Sequence, residues 1–379
     1  MRILIASRLF LPEPAVAATR LGALARELAE RGHEVEVVTS RPPRGVPIDD
    51  EPGVRVRRWP VLRNRQGAVR GYLQYLSFDV PLLGRLLLTR RPDVVIVEPP
   101  PTTGTVVRWV CWLRRLPYVY YAADILSDAA AHAGTHRVVV AVVRRLERLA
   151  TSRAAGVLSV SHDFTERLGA LGVASDRIAE VGNGADTRIF QHDGPAVEAA
   201  PYALYAGTAS EVHGAGVFIE ALRHVDGLRL VYVGSGTDHA ELQAVAERVA
   251  PGRVDVLPVV APREAARWLR GAAVALASAR PASDGADAYR FFPAKLHAAA
   301  ACGTPVLYAG EGSGAEFATD APLGTAVPYE PRAIAVALQR AIDDPATGEQ
   351  RAAFAAWAHE RVSLAAVAHR AADAVEASA

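Results

Sequence analysis

The sequence predicts an α/β chain of two doubly wound, Rossmann-like domains facing a central cleft. Three observations predict it. Short apolar runs alternate with amphipathic runs of helical period. The alternation stops once, midway, and then restarts. At 379 residues the chain is long enough for two separate cores. Strands that read as continuous apolar runs belong to parallel sheets covered on both faces.

In chain order, "RILIAS" is a short buried strand. After a proline-rich loop, "TRLGALARELAERG" puts Leu21, Leu24 and Leu28 on one helical face and ends at Gly32. "EVEVVTS", "GVRVRRW", "DVVIVEPP", "YVYYAAD" and "GVLSVS" follow as strands. The unpatterned piece "FQHDGPAVEAAP", around residues 190–201, reads as the linker. "YALYAGT", "LRLVYVGSG", "RVDVLPVV", "AVALASA" and "TPVLYAG" then supply a second sheet, with "GVFIEALRHV" and "AELQAVAERVA" among its helices. The tail from Pro331 reads as two helices. The expected domains are 1–190, 191–350 and a C-terminal helix in 351–379.

Hydrophobic residues make up 50% of the chain and the formal net charge is +1, an ordinary globular balance without the basic excess of a nucleic-acid binder. Cys111 and Cys302 sit in apolar or small-residue runs and read as buried thiols of a cytoplasmic protein. The opening "MRILIASRLFLPEPAVAA" resembles a signal peptide only superficially, because Arg8, Pro12, Glu13 and Pro14 interrupt it. No run reaches the roughly 18 apolar residues of a membrane span. Of the 42 lysines and arginines, a single one is lysine: Lys295, in "RFFPAKLHAAAACGTPVL".

Ligands of doubly wound sheets bind beyond the carboxyl ends of the strands, so the residues that follow strands carry the functional reading. There the chain resembles a known family. "FLPEPAVAATRLGALARELAERGHEVEVVTS", "VGNGADTRIF", "YAGTASEVHGAGVFIEAL", "VYVGSGTDHAEL", "WLRGAAVALASARP" and "FPAKLHAAAACGTPVL" occur in the order found in GT-B glycosyltransferases of the retaining, family-four type. The resemblance covers nearly the whole chain. It implies an acceptor-binding first domain, a second domain that holds a nucleotide diphosphate sugar, and a C-terminal helix, 351–379, that crosses back to the first. It also implies transfer that keeps the anomeric configuration, with no metal and no cofactor.

The resemblance places Lys295 on the donor diphosphate, within a Pro-x-Lys-Leu element that also holds Pro293 and Leu296. Fixed positive groups aimed at a leaving diphosphate lower the barrier, and an ammonium group is a compact donor for that task. The helix starting near Pro293 points its free N–H groups the same way. A chance surface lysine is the bland alternative. In "GTASEVHG", Gly207 remains, Thr208 stands where the family has arginine, and His213 stands where it has lysine. Ordinary loop chemistry explains these equally well. Two glutamates that the family keeps are replaced by Arg290 and Ala298. Asp284 and Asp287, in the loop "ASDGADAYR" that ends at Arg290, are candidates for the hydroxyl recognition thus lost, or plain turn residues. Backbone groups of Val259 and Val260 are the expected readers of the base; buried strand-end valines are the alternative.

On the acceptor side, Ala15 and Val16 replace a pair of glycines, and Arg20 either reaches phosphate or lies along its helix. Asp124, at a strand end, either handles the acceptor hydroxyl or caps a helix. Glu98 is a second strand-end carboxylate with the same two readings. His33 reads as structural. Asn183, Gly184 and Asp186 read as a hinge between the domains, with a positive-φ turn at Asn-Gly and backbone amides available to the donor. The arginine-rich segment 55–70 is either a solvated face or a contact for an anionic membrane or phosphorylated acceptor. The leading function is glycosyl transfer from a UDP- or GDP-sugar to a small-molecule acceptor, as in natural-product pathways, or to a lipid-linked one. The alternative is an inactive relative that serves as a binding or activating partner; a sugar-nucleotide epimerase on the same scaffold is weaker, because the carboxylates and histidines it needs are not assembled.

Overall fold

The computed structural model describes the chain except residues 14, 44, 49–50, 65–66, 70, 133, 198–200, 237 and 282–293. It has two units: Met1–Gly182 together with Val367–Ala379, and Asn183–Ala366.

The first unit holds strands β1 (Arg2–Ala6), β2 (Glu34–Ser40), β3 (Val54–Trp59), β4 (Val94–Val97), β5 (Tyr118–Ala122), β6 (Gly156–Ser159) and β7 (Ile178–Glu180). Its helices are α1 (Val16–Glu30), α2 (Tyr72–Leu88), α3 (Pro101–Arg114), α4 (Leu126–His132), α5 (Arg137–Thr151) and α6 (His162–Ala170). The strands form a parallel sheet in the order β3-β2-β1-β4-β5-β6-β7, with Ile5 registered between Val37 and Ile96. Side chains of β1 alternate between the faces, as the two-residue period requires. Ile3 and Ile5 pack with Leu21, Leu24 and Leu28 of α1, and Leu4 and Ala6 pack with Phe78 and Leu82 of α2 and Val107 and Val110 of α3.

The second unit holds β8 (Tyr202–Ala206), α7 (Val217–Ala221), β9 (Arg229–Val233), α8 (His239–Val249), β10 (Val254–Leu257) and α9 (Pro262–Gly271). Then come β11 (Val274–Ser278), α10 (Lys295–Ala301), β12 (Val306–Ala309), α11 (Ser313–Asp320), β13 (Gly324–Val327), α12 (Pro331–Asp343) and α13 (Gly348–Val362). The sheet order is β10-β9-β8-β11-β12-β13, again parallel. In each sheet the order reverses beside the first strand, between β1 and β4 and between β8 and β11. Those are the topological switch points.

Helix α14 (Leu364–Ala377) returns the chain to the first unit, where Ala371 and Val375 join the α1 core. His33 supports this return: its Nε2 meets Glu376 Oε1 at 2.7 Å, so it is structural. Three features depart from the sequence reading. Strands β7 and β13 are additional edge strands, and the tail from Pro331 makes three helices, not two, with Ser363 between α13 and α14. Both cysteines are free and buried, and burial pushes their thiols up to about 12.

Candidate active site

In the second unit, β8 runs into Gly207 and Thr208, and the side chain of Lys295 reaches this turn from the first residue of α10. Its Nζ donates to the Tyr205 hydroxyl at 2.6 Å and to the Thr208 carbonyl at 3.3 Å. The Tyr205 hydroxyl in turn donates to the same carbonyl at 3.0 Å. Tyr205 is almost fully buried and burial pushes its pKa up, so it stays a neutral phenol. Lys295 is half-buried, and burial lowers its pKa to about 7. An ammonium has three donors, and these contacts occupy two. Among the described residues no carboxylate pairs with it, and a ligand with negative charge raises its pKa.

Glycines make room for this arrangement. A Cβ on Gly207, where φ is +137°, would lie 3.2 Å from Lys295 Cε. The turn after β9, "GSG", lies backbone to backbone against the turn after β8. A Cβ on Gly234 would fall 2.1 Å from the Gly207 carbonyl oxygen, and one on Gly236 would fall 1.6 Å from that of Ala209. Gly236→Ala is therefore expected to displace the Gly207–Ala209 turn, lowering stability by about 1–3 kcal/mol and weakening nucleotide binding with it. Thermal melts with and without UDP check this; unchanged melting and unchanged UDP binding would contradict it.

The rest of the β8 loop is pinned from the neighbouring strand. Ser278 Oγ donates to the His213 carbonyl at 2.7 Å, the Arg280 amide to Val212 at 2.9 Å, and the Tyr329 hydroxyl to Gly214 at 2.6 Å. His213 Nδ1 lies 2.7 Å from Ser210 Oγ. Burial, and then the charge of Lys295, lowers the His213 pKa to about 3, so it is a neutral imidazole near Lys295 and not a second cation. The Thr208 side chain is exposed at the same turn.

Helix α10 starts at Lys295 and has seven residues, so it brings less dipole than a helix from Pro293 would. Leu296 is a core residue and Ala298 packs on the same apolar cluster. β10 ends at Leu257, as expected; Val259 is exposed beyond it and Val260 is partly buried. Asp284, Asp287, Arg290 and Pro293 lie outside the described residues.

In the first unit, Ser7 follows β1 and Glu98 follows β4, across the switch point. Glu98 is 3% exposed; it accepts from Ser7 Oγ at 2.7 Å and from Arg20 at 3.1 Å. Arg20 is 6% exposed and its guanidinium lies 4.8 Å from the Tyr121 ring centroid. It neither lies along its helix nor presents a free cation; it neutralises Glu98 inside the unit. Asp124 is exposed between β5 and α4. Ala15 is the extended residue that caps α1, and Val16 is exposed at its first turn. In segment 55–70, Arg57 pairs with Glu36, Arg58 donates to the Leu11 carbonyl and Arg63 pairs with Glu13.

Asn183 and Gly184 begin the second unit. Gly184 does not take a positive φ; that conformation belongs to Gly182. Gly184 is needed for close approach instead, since a Cβ there would lie 2.9 Å from the Ser363 carbonyl. Ala185 exchanges backbone hydrogen bonds with Val362 and Leu364, both at 2.9 Å. Among the described residues no cluster of His, Cys, Asp or Glu is arranged to hold a metal ion, and no helix is long and apolar enough to cross a membrane.

Tyr205, Ser7 and the pair Gly234 and Gly236 were not singled out by the sequence reading. The signal for the glycines was available, because "GSG" directly follows an apolar strand.

Comparison with known proteins places this geometry. Residues 17–184 match the family model of the glycosyl transferase 4-like domain, and residues 200–344 match that of glycosyl transferases group 1. No curated protein matches the chain significantly. Among solved structures, HepE from Anabaena in complex with UDP is 17% identical, with 100% of both chains covered and a TM-score of 0.72. Sucrose-phosphate synthase from Thermosynechococcus elongatus is 17% identical over 98% of both chains, with a TM-score of 0.73. A putative UDP-N-acetylglucosamine 2-epimerase from Listeria monocytogenes is 14% identical, covers 99% of this chain and 96% of its own, and has a TM-score of 0.63. The fold alone therefore admits both transferases and epimerases, and the two family models decide between them. The two models together cover most of the chain, which is a GT-B glycosyltransferase with a glycosyl transferase 4-like first domain and a glycosyl transferases group 1 second domain.

Proposed function

We propose that this glycosyltransferase takes its sugar from a nucleotide diphosphate sugar bound at the carboxyl edge of the second unit. Lys295 carries the reading: a half-buried amine, fixed by Tyr205 and the Thr208 carbonyl, with a donor left over and no paired carboxylate among the described residues. A diphosphate supplies the missing charge. As the glycosyl bond breaks, negative charge grows on the leaving phosphate, and a pre-positioned ammonium stabilises it without reorganisation. Gly207 lets the phosphates approach the backbone. Val259 and Val260 offer backbone groups to the base.

The acceptor belongs to the first unit, where Asp124 is exposed at a strand end and accepts the proton of the acceptor hydroxyl. The acceptor is a small molecule or a lipid-linked sugar. Transfer keeps the anomeric configuration and the protein's own cation stands in for a metal, as the resemblance implies. UDP-bound HepE, similar over its full length, supports a uridine nucleotide.

A thermal-shift panel of UDP-, GDP- and other nucleotide sugars tests this, because a ligand that binds the folded state raises its melting temperature by mass action. Ligand at about a hundred times its Kd adds about 2.7 kcal/mol, or several degrees. The expected result is a rise with one nucleotide class, and with its free diphosphate. No rise with any nucleotide would favour the inactive-partner reading.

A further inference from the structure

Three helices of the first unit, α2, α3 and α5, lie side by side on one face of the sheet, with α3 in the middle. Their inner faces fill the core, and their outer faces carry exposed apolar side chains. Of sixteen large apolar side chains exposed among the described residues, ten lie on these three helices. α2 shows Leu73, Leu76 and Val80, spaced along one stripe, with Leu73 69% exposed. α3 adds Trp109, Trp112 and Leu113, with Trp112 61% exposed. α5 adds Val138 and Val142. Exposed apolar side chains gathered on three adjacent helices mark an interaction surface.

The charge on the same face has one sign. The only carboxylates in the three helices are Asp79 and Glu147, and both are buried. Arg137, Arg145 and Arg148 of α5, and Arg115 just after α3, are exposed; among the described residues none of the four makes an ion pair. Two exposed tryptophans, aliphatic side chains and unpaired arginines, with no exposed acid, match the interfacial zone of an anionic bilayer, where indole rings sit at headgroup level and arginines meet lipid phosphates. A second copy of the chain fits less well. A two-fold interface would set this patch against itself, arginines facing arginines, with no carboxylate to pair them.

We propose that the α2–α3–α5 face docks the enzyme on an anionic membrane surface. This surface differs from segment 55–70, where Arg57, Arg58 and Arg63 are engaged within the unit. It adds to the nucleotide-sugar reading, favouring a lipid-linked acceptor, and is tested separately from it.

The test is co-sedimentation of the full chain with vesicles of phosphatidylcholine alone or with phosphatidylglycerol. Arg145→Glu with Arg148→Glu, and Trp109→Glu with Trp112→Glu, serve as variants; their circular dichroism, melting and UDP binding are measured alongside. The expected result is binding to the anionic vesicles that falls about ten-fold or more in each double variant, with each residue exposed and the fold retained. Brominated acyl chains should quench tryptophan fluorescence in the wild type and less in Trp109→Phe with Trp112→Phe. Absence of binding to anionic vesicles, or binding that neither double variant weakens, overturns the proposal. So does a dimer, seen by analytical ultracentrifugation, that the same variants dissociate. A chain that binds UDP but no vesicles sinks this proposal alone, and one that binds vesicles but no nucleotide sinks only the donor reading.

Discussion

Lys295→Met is expected to weaken nucleoside diphosphate binding by about ten- to a hundred-fold, the scale of one hydrogen bond to a charged group. Turnover should fall further, by about a hundred- to a thousand-fold, because the leaving phosphate carries more charge in the transition state than in the bound donor. The fold should survive. Methionine replaces the unbranched stem as far as Cε, and the Tyr205 hydroxyl keeps its bond to the Thr208 carbonyl at 3.0 Å. The ligand-free variant should even be more stable near neutral pH. The folded pKa of Lys295, about 7, lies below the unfolded value of about 10.4. Between those values the unfolded chain holds a proton that the folded chain has released, so stability rises with pH across that window. Melts at pH 7 and pH 10 should show this rise in the wild type and a flatter profile in the variant. Equal UDP affinity in both proteins would remove Lys295 from the site.

Arg20→Ala is expected to destabilise the first unit by about 3–5 kcal/mol, because it leaves a buried carboxylate with one hydroxyl for company. For a unit of this size the melting temperature should drop by on the order of ten degrees. Replacing both partners, Arg20→Met with Glu98→Met, should cost less than either single change, since no uncompensated charge remains in the core. Differential scanning calorimetry of the three variants checks the ordering. A small loss of stability in Arg20→Ala, with a large loss of UDP affinity, would return Arg20 to the phosphate role that the family resemblance suggested.

The fold was legible where burial is symmetrical. "ILIA", "VVIV" and "YVYYA" are uncharged and buried throughout because both faces of a central parallel strand are covered. "IAE" and "GTAV" escaped because edge strands are short and partly exposed, so they carry no such run. The break at Ser363 escaped because no glycine or proline marks it in an alanine-rich tail. Lys295 stood out in the sequence through rarity and through the family element around it. Its partners were not. Tyr205 reads as one more apolar strand residue, and nothing local says that its hydroxyl meets an amine ninety positions away. Arg20 and Glu98 were each noticed singly, yet their pairing across 78 positions is a tertiary fact. The exposed tryptophans had a signal: "TVVRWVCWLRR" sets Trp109, Trp112 and Leu113 beside Val107, Val110 and Cys111, more apolar residues than one buried face of a surface helix needs.

The central claim is that a diphosphate supplies the charge that the Lys295 amine lacks, and proton uptake measures this directly. At pH 8 a group with a pKa of about 7 is mostly neutral, and a bound diphosphate should reprotonate it. Calorimetric titration of UDP or GDP at pH 8, in buffers of different ionisation enthalpy, should show uptake of close to one proton (about 0.9) in the wild type and almost none in Lys295→Met. Tight nucleotide binding with no proton taken up by the wild type, or with the same uptake in both proteins, would contradict the account.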